Sequence, residues 1–173
     1  MFIKENIQLR AVEPEDLEIL YQWENDTQLW EVGNTRIPYS KYALKQYISE
    51  SFIDIYESKQ LRLMIVDTCT NETVGTVDLF DFDPHHSRIA LGLYVSKPHQ
   101  GKGIAKTAMS IIEDYVFNFL KVNQLYCHIA ATNTASRSLF EQLEYLSSGL
   151  LHSWIKTTNG YEDIIVFQRI KTY

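Results

Sequence analysis

The sequence predicts one mixed α/β domain, in which helices pack against a β-sheet. Two patterns alternate along the 173 residues: short apolar, strand-like runs, and longer stretches with apolar residues at helical spacing. Asn159-Gly160 lies between two strand-like runs and is a strong hairpin signal. Because no linker, repeat or low-complexity segment interrupts the chain, we expect a single domain over residues 1–173.

The elements follow from local patterns. Pro14 suits the first turn of a helix, and the turn at Thr70-Asn71-Glu72 joins two strands into a hairpin. The clearest helix covers 102–120, with an apolar stripe that runs from Ile104 to Phe119. In chain order, we predict a strand over 7–11, a helix from Glu13, a loop over 24–38, a helix over 39–51, strands over 61–67, 74–82 and 87–95, a helix over 102–120, a strand over 124–131, a helix over 133–143, and strands over 146–157 and 161–170.

Composition excludes several classes of protein. The formal net charge is −6 and the basic residues are not clustered, which argues against a nucleic-acid partner. An acidic surface favours cationic ligands, although it also simply keeps a protein in solution. Cys69 and Cys127 form no disulfide or zinc pattern. No signal peptide or membrane-length apolar run is present, so we expect a cytoplasmic protein with no membrane partner.

A glycine-bearing turn between a strand and the clearest helix is the main candidate site, in the segment KPHQGKGIAKTAM at 97–109. A dinucleotide-binding turn would need a third glycine where Lys106 stands. A P-loop would need glycines at Gln100 and Ala105. The spacing of Gln100, Gly103 and Ala105 instead suits backbone N–H groups that approach an anion. This segment alone leaves open a turn that binds no ligand.

Four segments in order resemble the GNAT N-acetyltransferases over nearly the whole chain. The closing hairpin resembles the branch of bacterial spermidine/spermine acetyltransferases and ribosomal-protein N-terminal acetyltransferases, and the polyamine branch aligns with Val77–Gly103 without a gap. The four segments are LRAVEPEDL at 9–17, KPHQGKGIA at 97–105, NTASRSLFEQLEY at 133–145 and NGYEDIIVF at 159–167.

The resemblance implies a GNAT fold of the α/β (α+β) class, with a mixed, mostly antiparallel sheet of six to seven strands flanked by four helices. It implies acetyl-CoA as the cofactor and no need for a metal. The strand end would bind the pantetheine arm, the turn would bind the pyrophosphate, and the later helix would flank the thiol end. The cofactor positions are Leu93, Tyr94, Val95, Gln100, Gly101, Lys102, Gly103, Ile104, Ala105, Lys106, Asn133, Ser136 and Phe140.

Two positions depart from the family pattern. Phe140 stands where the family usually has a tyrosine that acts as the general acid, and Ala90 stands where a strand glutamate usually relays the proton of the amine. Tyr145 or Ser138 could replace the acid. Carboxylates could take the proton of the amine through water. The candidate catalytic residues are Glu31, Asp78 and Tyr145, and the candidate substrate-binding residues are Trp30, Glu31, Asp78 and Asp81.

The sequence therefore predicts transfer of an acetyl group from acetyl-CoA to a primary amine of a small cationic acceptor, with a polyamine as one candidate. Two alternatives stay open: acetylation of protein N-termini, and a non-catalytic protein that binds acyl-CoA. Phe140 and Ala90 favour the non-catalytic alternative. The oligomeric state is also open, with a homo-oligomer as one outcome, because the polyamine enzymes assemble into rings.

Overall fold

The computed structural model describes residues 2–33 and 35–171, without the side chains of 31–33. The chain divides into two compact units. The larger comprises Met1–Arg10 and Asp54–Tyr173, and the smaller comprises Ala11–Ile53. The prediction of one domain over 1–173 stays a prediction.

An eight-stranded sheet forms the larger unit, in the order β1-β2-β3-β4-β5-β6-β8-β7. Among the strand pairs whose register is described, only β5 and β6 run parallel, and the other pairs are antiparallel. The strands are β1 Ile3–Lys4, β2 Ile7–Ala11, β3 Leu61–Asp67, β4 Glu72–Asp83, β5 Arg88–Val95, β6 Gln124–Ala130, β7 Leu146–Thr157 and β8 Gly160–Ile170.

The core of the larger unit lies on one face of this sheet. Alternating residues of β4 and β5 point to the same side, as the two-residue period of a strand requires. Val77 and Leu79 of β4 and Ile89 of β5 are at most 1% exposed. Apolar residues of three helices complete this core. The helices of this unit are α4 Ile55–Ser58, α5 Ile104–Asp114 and α6 Thr134–Gln142.

The smaller unit is helical. Asp16 accepts a hydrogen bond from the backbone N–H of Glu13 at 2.8 Å and thereby caps the 3-10 turn that starts this segment. The Oγ of Ser40 accepts one from the N–H of Ala43 at 3.1 Å and caps the third helix. The helices of this unit are α1 Leu17–Glu24, α2 Thr27–Gly33 and α3 Lys41–Glu50.

The structure confirms the mixed α/β class and corrects several elements. The sheet has eight strands instead of six or seven, because the two-residue strand β1 was too short to carry a pattern. Residues 24–38 were predicted as a loop, yet they contain α2. In the described part of the chain, α2 and the four-residue helix α4 raise the number of α-helices from four to six.

The long helix predicted over 102–120 is also corrected at its C-terminal end. After Asp114 the chain makes a π-helical turn over Tyr115–Phe119, closed by the N–H of Leu120, which donates to Tyr115 O at 2.9 Å. A π-helical turn contains one residue more than an α-helical turn, so the residues that follow are rotated about the helix axis. Phe119 therefore leaves the apolar stripe and is 61% exposed. No helix in the described residues is long and apolar enough to cross a membrane.

Candidate active site

The parallel strands β5 and β6 run side by side over only three residue pairs. The register joins Arg88–Ala90 to Gln124–Tyr126, whereas β5 stays paired with β4 as far as Val95. Beyond Ala90 one edge of β5 is therefore outside the β5–β6 ladder. A strand edge outside a ladder presents N–H and C=O groups to an extended ligand.

The glycine-bearing turn follows the end of β5. A 3-10 turn over Lys97–His99 leads to Gly101 and Gly103, whose φ angles are 74° and 81°. Other residues rarely adopt these left-handed angles. A Cβ atom at either glycine would meet no other atom within 4 Å, so the space beside the turn is open.

Gly103 is also the N-cap of α5. The first turn of a helix leaves backbone N–H groups without intrahelical partners, and the helix dipole adds positive potential there. Lys102 and Lys106 are exposed beside these groups. Open space, N–H groups and two ammonium groups together suit the pyrophosphate of a nucleotide cofactor.

Hydrogen bonds hold this turn against the sheet. Gln100 Nε2 donates to the carbonyl oxygen of Val95 at 2.8 Å. Ser96 Oγ lies 2.9 Å from His99 Nδ1, and the N–H of Ser96 donates to Val74 O at 2.9 Å. The side chain of Gln100 therefore fixes the shape of the turn, which leaves backbone groups to contact an anion.

Asn133 begins α6 as the sequence suggested. Its Oδ1 accepts a hydrogen bond from the N–H of Ser136 at 3.1 Å, which makes it an N-cap. In the same turn, Arg137 Nη1 donates to the carbonyl oxygen of Ala131 at 3.0 Å. The start of α6 is thereby tied to the segment that follows β6.

Phe140 and Tyr145 lie in the core. They are 5% and 3% exposed, and their rings meet edge to face with centroids 4.9 Å apart. Among the described residues, the hydroxyl of Tyr145 makes no hydrogen bond of good geometry, although it lies near enough to the carboxylate of Glu113 to interact with it. Burial, followed by the nearby carboxylate of Glu113, raises the pKa of this phenol far above its usual value. Burial likewise raises the pKa of Glu113. A general acid must reach the departing sulfur, so this depth is unfavourable for Tyr145.

Two of the predicted acceptor-binding residues, Asp78 and Asp81, differ in their hydrogen bonds and exposure. Asp78 Oδ1 accepts a hydrogen bond from Arg62 Nε at 2.5 Å, and Asp78 Oδ2 accepts one from Thr76 Oγ1 at 3.2 Å. Asp81 is exposed, with φ of 49°, where the register between β4 and β5 shifts.

Trp30 and Glu31 belong to the smaller unit. The indole Nε1 of Trp30 donates to the carbonyl oxygen of Glu24 at 2.9 Å, which fixes the ring against α1. Glu31 was predicted as both a catalytic and a substrate-binding residue, and its side chain lies outside the described residues.

Two side chains that sequence analysis missed lie beside the separation of β5 and β6. Tyr126 pairs with Ala90 in the parallel register, and His128 follows two residues later on the same face of β6. The buried residues Leu125, Cys127 and Ile129 alternate with them. This alternation is visible in the sequence and assigns Tyr126 and His128 to one face, but only the register places that face beside Ala90.

The site offers no metal centre or reactive thiol in the part of the chain that the structure describes. No group of three or more His, Cys, Asp or Glu side chains is arranged to hold a metal ion. Cys69 is exposed, and Cys127 is buried. Burial raises the pKa of Cys127 to about 12, so its thiol stays protonated and is a poor nucleophile.

Comparison with known proteins assigns the family. The profile described as "Acetyltransferase (GNAT) domain" matches residues 6–145. The chain is 27% identical over 168 residues to the uncharacterized N-acetyltransferase p20 of Bacillus licheniformis, which covers 96% of this chain and 94% of that protein. It is 25% identical over 157 residues to the spermidine N(1)-acetyltransferase of Vibrio cholerae, which covers 90% and 88%.

A solved structure has the same fold. The crystal structure of spermidine N-acetyltransferase from Vibrio cholerae in complex with CoA and spermine superposes with a TM-score of 0.86 at 23% identity, over 96% of each chain. With the family profile matching most of the sequence, this chain belongs to the GNAT family of acetyltransferases and is an enzyme of that class.

Proposed function

We propose that this protein transfers the acetyl group of acetyl-CoA directly to a primary amine of a small cationic acceptor, with a polyamine as the leading candidate. The observation that carries the proposal is the open turn at Gly101–Gly103, held at the end of β5 where β5 and β6 separate. The edge of β5, which suits the amide-bearing pantetheine arm, is therefore followed along the chain by the turn, which suits the pyrophosphate.

In this proposal each part of acetyl-CoA has its own residues. The backbone of Leu93–Val95 binds the pantetheine arm and polarises the thioester carbonyl. The backbone N–H groups from Gly101 to Lys106 bind the pyrophosphate, with support from the ammonium groups of Lys102 and Lys106. Asn133 and Ser136 hold the start of α6 beside the thiol end. Phe140 contributes apolar contact at most, because its ring cannot exchange a proton.

The proposed acceptor is cationic for two reasons. The net charge of −6 and the acidic run Asp78–Asp83 favour ammonium groups. A relative at 25% identity is named a spermidine N(1)-acetyltransferase. In this proposal Asp81 contributes to the acceptor site, and Asp78 acts there mainly through its ion pair with Arg62. Trp30 and Glu31, in the smaller unit, stay predictions from the resemblance.

The first experiment measures free thiol release from acetyl-CoA with spermidine, spermine, simple diamines and N-terminal peptides. Thermal shift with acetyl-CoA is measured on the same samples. Turnover with a polyamine supports the proposal, and turnover only with peptides supports N-terminal acetylation instead. Binding without turnover on any amine supports the non-catalytic alternative, which Phe140 and Ala90 favour. Absence of binding contradicts the role of the turn.

A double charge-reversal variant tests whether the glycine-bearing turn binds the pyrophosphate. Lys102→Glu with Lys106→Glu should weaken CoA binding about tenfold or more, since tenfold corresponds to the loss of about 1.4 kcal/mol of binding free energy. Lys121→Glu with Lys156→Glu makes the same charge change at exposed positions outside the turn and is the matched control. Equal effects of the two double variants would attribute the loss to net charge.

We also propose that the protein forms a homo-oligomer. The outer strand β7 presents large apolar side chains that are unusual on a free surface: Leu146, Leu150 and Trp154 are 70%, 48% and 62% exposed. A second copy of the chain would bury them. Mass measurement by light scattering distinguishes this state from a monomer.

A further inference from the structure

The face of the sheet opposite the core places an imidazole near the residue that replaces the usual proton relay. Ala90, which stands at the position of that relay, is side by side with Tyr126 in the parallel register. Side chains of a strand alternate between faces, so His128 projects on the same face as Tyr126. It lies two residues beyond Tyr126, which belongs to the last β5–β6 pair. The imidazole therefore lies beside the point where the two strands separate.

The side chain of His128 is accessible and supported. His128 is exposed, whereas its neighbours Cys127 and Ile129 are 4% and 5% exposed on the core face. The rings of His128 and Tyr126 meet edge to face, with centroids 5.8 Å apart and an interplanar angle of 67°. Such a pair limits the orientations of the imidazole while leaving its outer edge open.

The phenol of Tyr126 stays neutral beside this imidazole. Burial raises its pKa most, the carboxylates of Asp81 and Asp83 raise it further, and the guanidinium of Arg88 opposes them. The phenol therefore adds no charge beside the imidazole of His128.

We infer that His128 is the general base that takes the proton from the acceptor ammonium, and that Tyr126 positions its imidazole. This inference rests on the proposed function. An amine with a pKa of about 10.4 arrives protonated, so a base must take its proton before it attacks. A ring nitrogen of His128 supplies the proton acceptor that the methyl group of Ala90 cannot.

In the proposed reaction the nitrogen of the acceptor loses two protons. The nitrogen of the amine loses one proton to His128 and forms a bond to the acetyl carbon. The carbon–sulfur bond breaks, and its electron pair goes to sulfur. The second proton leaves the nitrogen and ends on that sulfur as the thiol. His128 then returns its proton to water, and neither metal nor oxidant takes part.

Other titratable groups share this face of the sheet with His128. Across β8, the register neighbours of His128 and Tyr126 are Val166 and Gln168, which do not titrate. The other charged or titratable side chains of the larger unit are assigned to this face by strand register or by their effect on the pKa of Tyr126. They are Arg62, Asp78, Asp81, Asp83, Arg88, Tyr94 and Glu162.

The test compares His128→Gln with His152→Gln, a change at another exposed histidine on the same sheet. We expect His128→Gln to lower kcat/KM for spermidine about 100-fold, within the usual range for a lost general base, and to remove the acidic limb of its pH profile. His152→Gln should keep both. Thermal unfolding of each variant verifies that it is folded.

A second readout does not need turnover. Spermidine bound beside an imidazole disfavours the imidazolium, so histidine NMR should show a lower pKa for His128, and not for His152, when spermidine is saturating. An unchanged His128 pKa in a sample that binds spermidine by calorimetry overturns the inference.

The outcomes separate the two proposals. If the wild-type enzyme turns over spermidine and His128→Gln retains the rate and the acidic limb, only the role of His128 is wrong. If the wild-type enzyme acetylates no amine, the proposed function fails and the role of His128 fails with it.

Discussion

At the scale of residues, Phe140 and Ala90 stand where the resemblance to the GNAT family leads us to expect a tyrosine acid and a glutamate relay. Phe140 has no hydroxyl, and its ring packs edge to face on Tyr145 within the core. Tyr145 carries one of the two alternative hydroxyls, but that group is buried without a hydrogen bond of good geometry among the described residues. A buried polar group without a partner lowers stability and is retained only when something compensates.

The first prediction concerns this hydroxyl. Tyr145→Phe should leave the free energy of unfolding unchanged or raise it by about 1 kcal/mol, because at nearly constant volume it removes a buried hydroxyl that makes no hydrogen bond of good geometry. Urea unfolding measures the difference. Tyr56→Phe, at a half-exposed ring, serves as the control.

Turnover of the same variant tests the catalytic hypothesis. A fall of about 100-fold in kcat without loss of stability would be typical of a missing general acid and would support Tyr145 in that role, despite its burial.

At the scale of elements, the close pairing of β4 and β5 positions the end of β5. Gly75 is opposite Val95 in this pair. A Cβ atom at Gly75 would lie 2.1 Å from the carbonyl oxygen of Tyr94, which is a severe clash with backbone. The absence of a side chain therefore lets β4 and β5 approach closely at the end of β5, where the turn begins.

The second prediction tests this approach. Gly75→Ala should lower the free energy of unfolding by about 3 kcal/mol, the upper end of what overpacking costs, because backbone must move to admit the methyl group. Gly149→Ala is the matched control, since its Cβ would meet nothing within 4 Å. Equal losses in the two variants, measured by urea unfolding, would contradict the packing argument.

The third prediction separates two roles of the N-cap of α6. Asn133→Ala should cost about 1 kcal/mol of stability through loss of the cap, and it should also weaken CoA binding if Asn133 flanks the cofactor. Ser40→Ala removes the corresponding cap of α3 and should change stability alone. Calorimetric titration with CoA compares the variants, and unaltered affinity in Asn133→Ala would leave the residue a cap only.

At the scale of the whole molecule, the outer strand β7 carries three large exposed apolar side chains, Leu146, Leu150 and Trp154. Its shift in register against β8 between Leu151 and Ile155 brings Ser153 to a φ of 49°, and the N–H of Ser153 donates to Asp163 Oδ1 at 2.7 Å. Trp154 lies in this irregular stretch. Irregularities of this kind limit uncontrolled pairing of an edge strand, so contact through side chains is the mode that remains.

The fourth prediction follows from this edge. If β7 joins copies of the chain, Leu150→Lys with Trp154→Lys should lower the molar mass by light scattering toward that of the monomer, since buried lysines oppose association. Phe119→Lys changes a comparably exposed side chain, 61% against 62% for Trp154, outside β7. An unchanged mass in the β7 variant, or the same decrease in both variants, would exclude this interface.

The sequence by itself determined the strands and helices with strong periodicity, the glycine turn before α5 and the family. These features depend on local rules: alternation in β3, the hairpin signal at Asn159-Gly160, and glycines at positions that require positive φ. Sequence patterns did not predict β1, α2 and α4, because these elements are too short to show a period. They also did not predict the π-turn after Asp114, because one extra residue in a helix leaves no sign in the composition.

Only the tertiary structure decided which side chains meet at the site. Register between distant strands placed Tyr126 beside Ala90, and packing buried Phe140 and Tyr145. It also paired Arg62 with Asp78 across β3 and β4. Contacts of this kind join residues far apart in the chain, so no local pattern encodes them. Their physical cause is the joint optimisation of hydrogen-bonded register and core packing, which is a property of the assembled sheet.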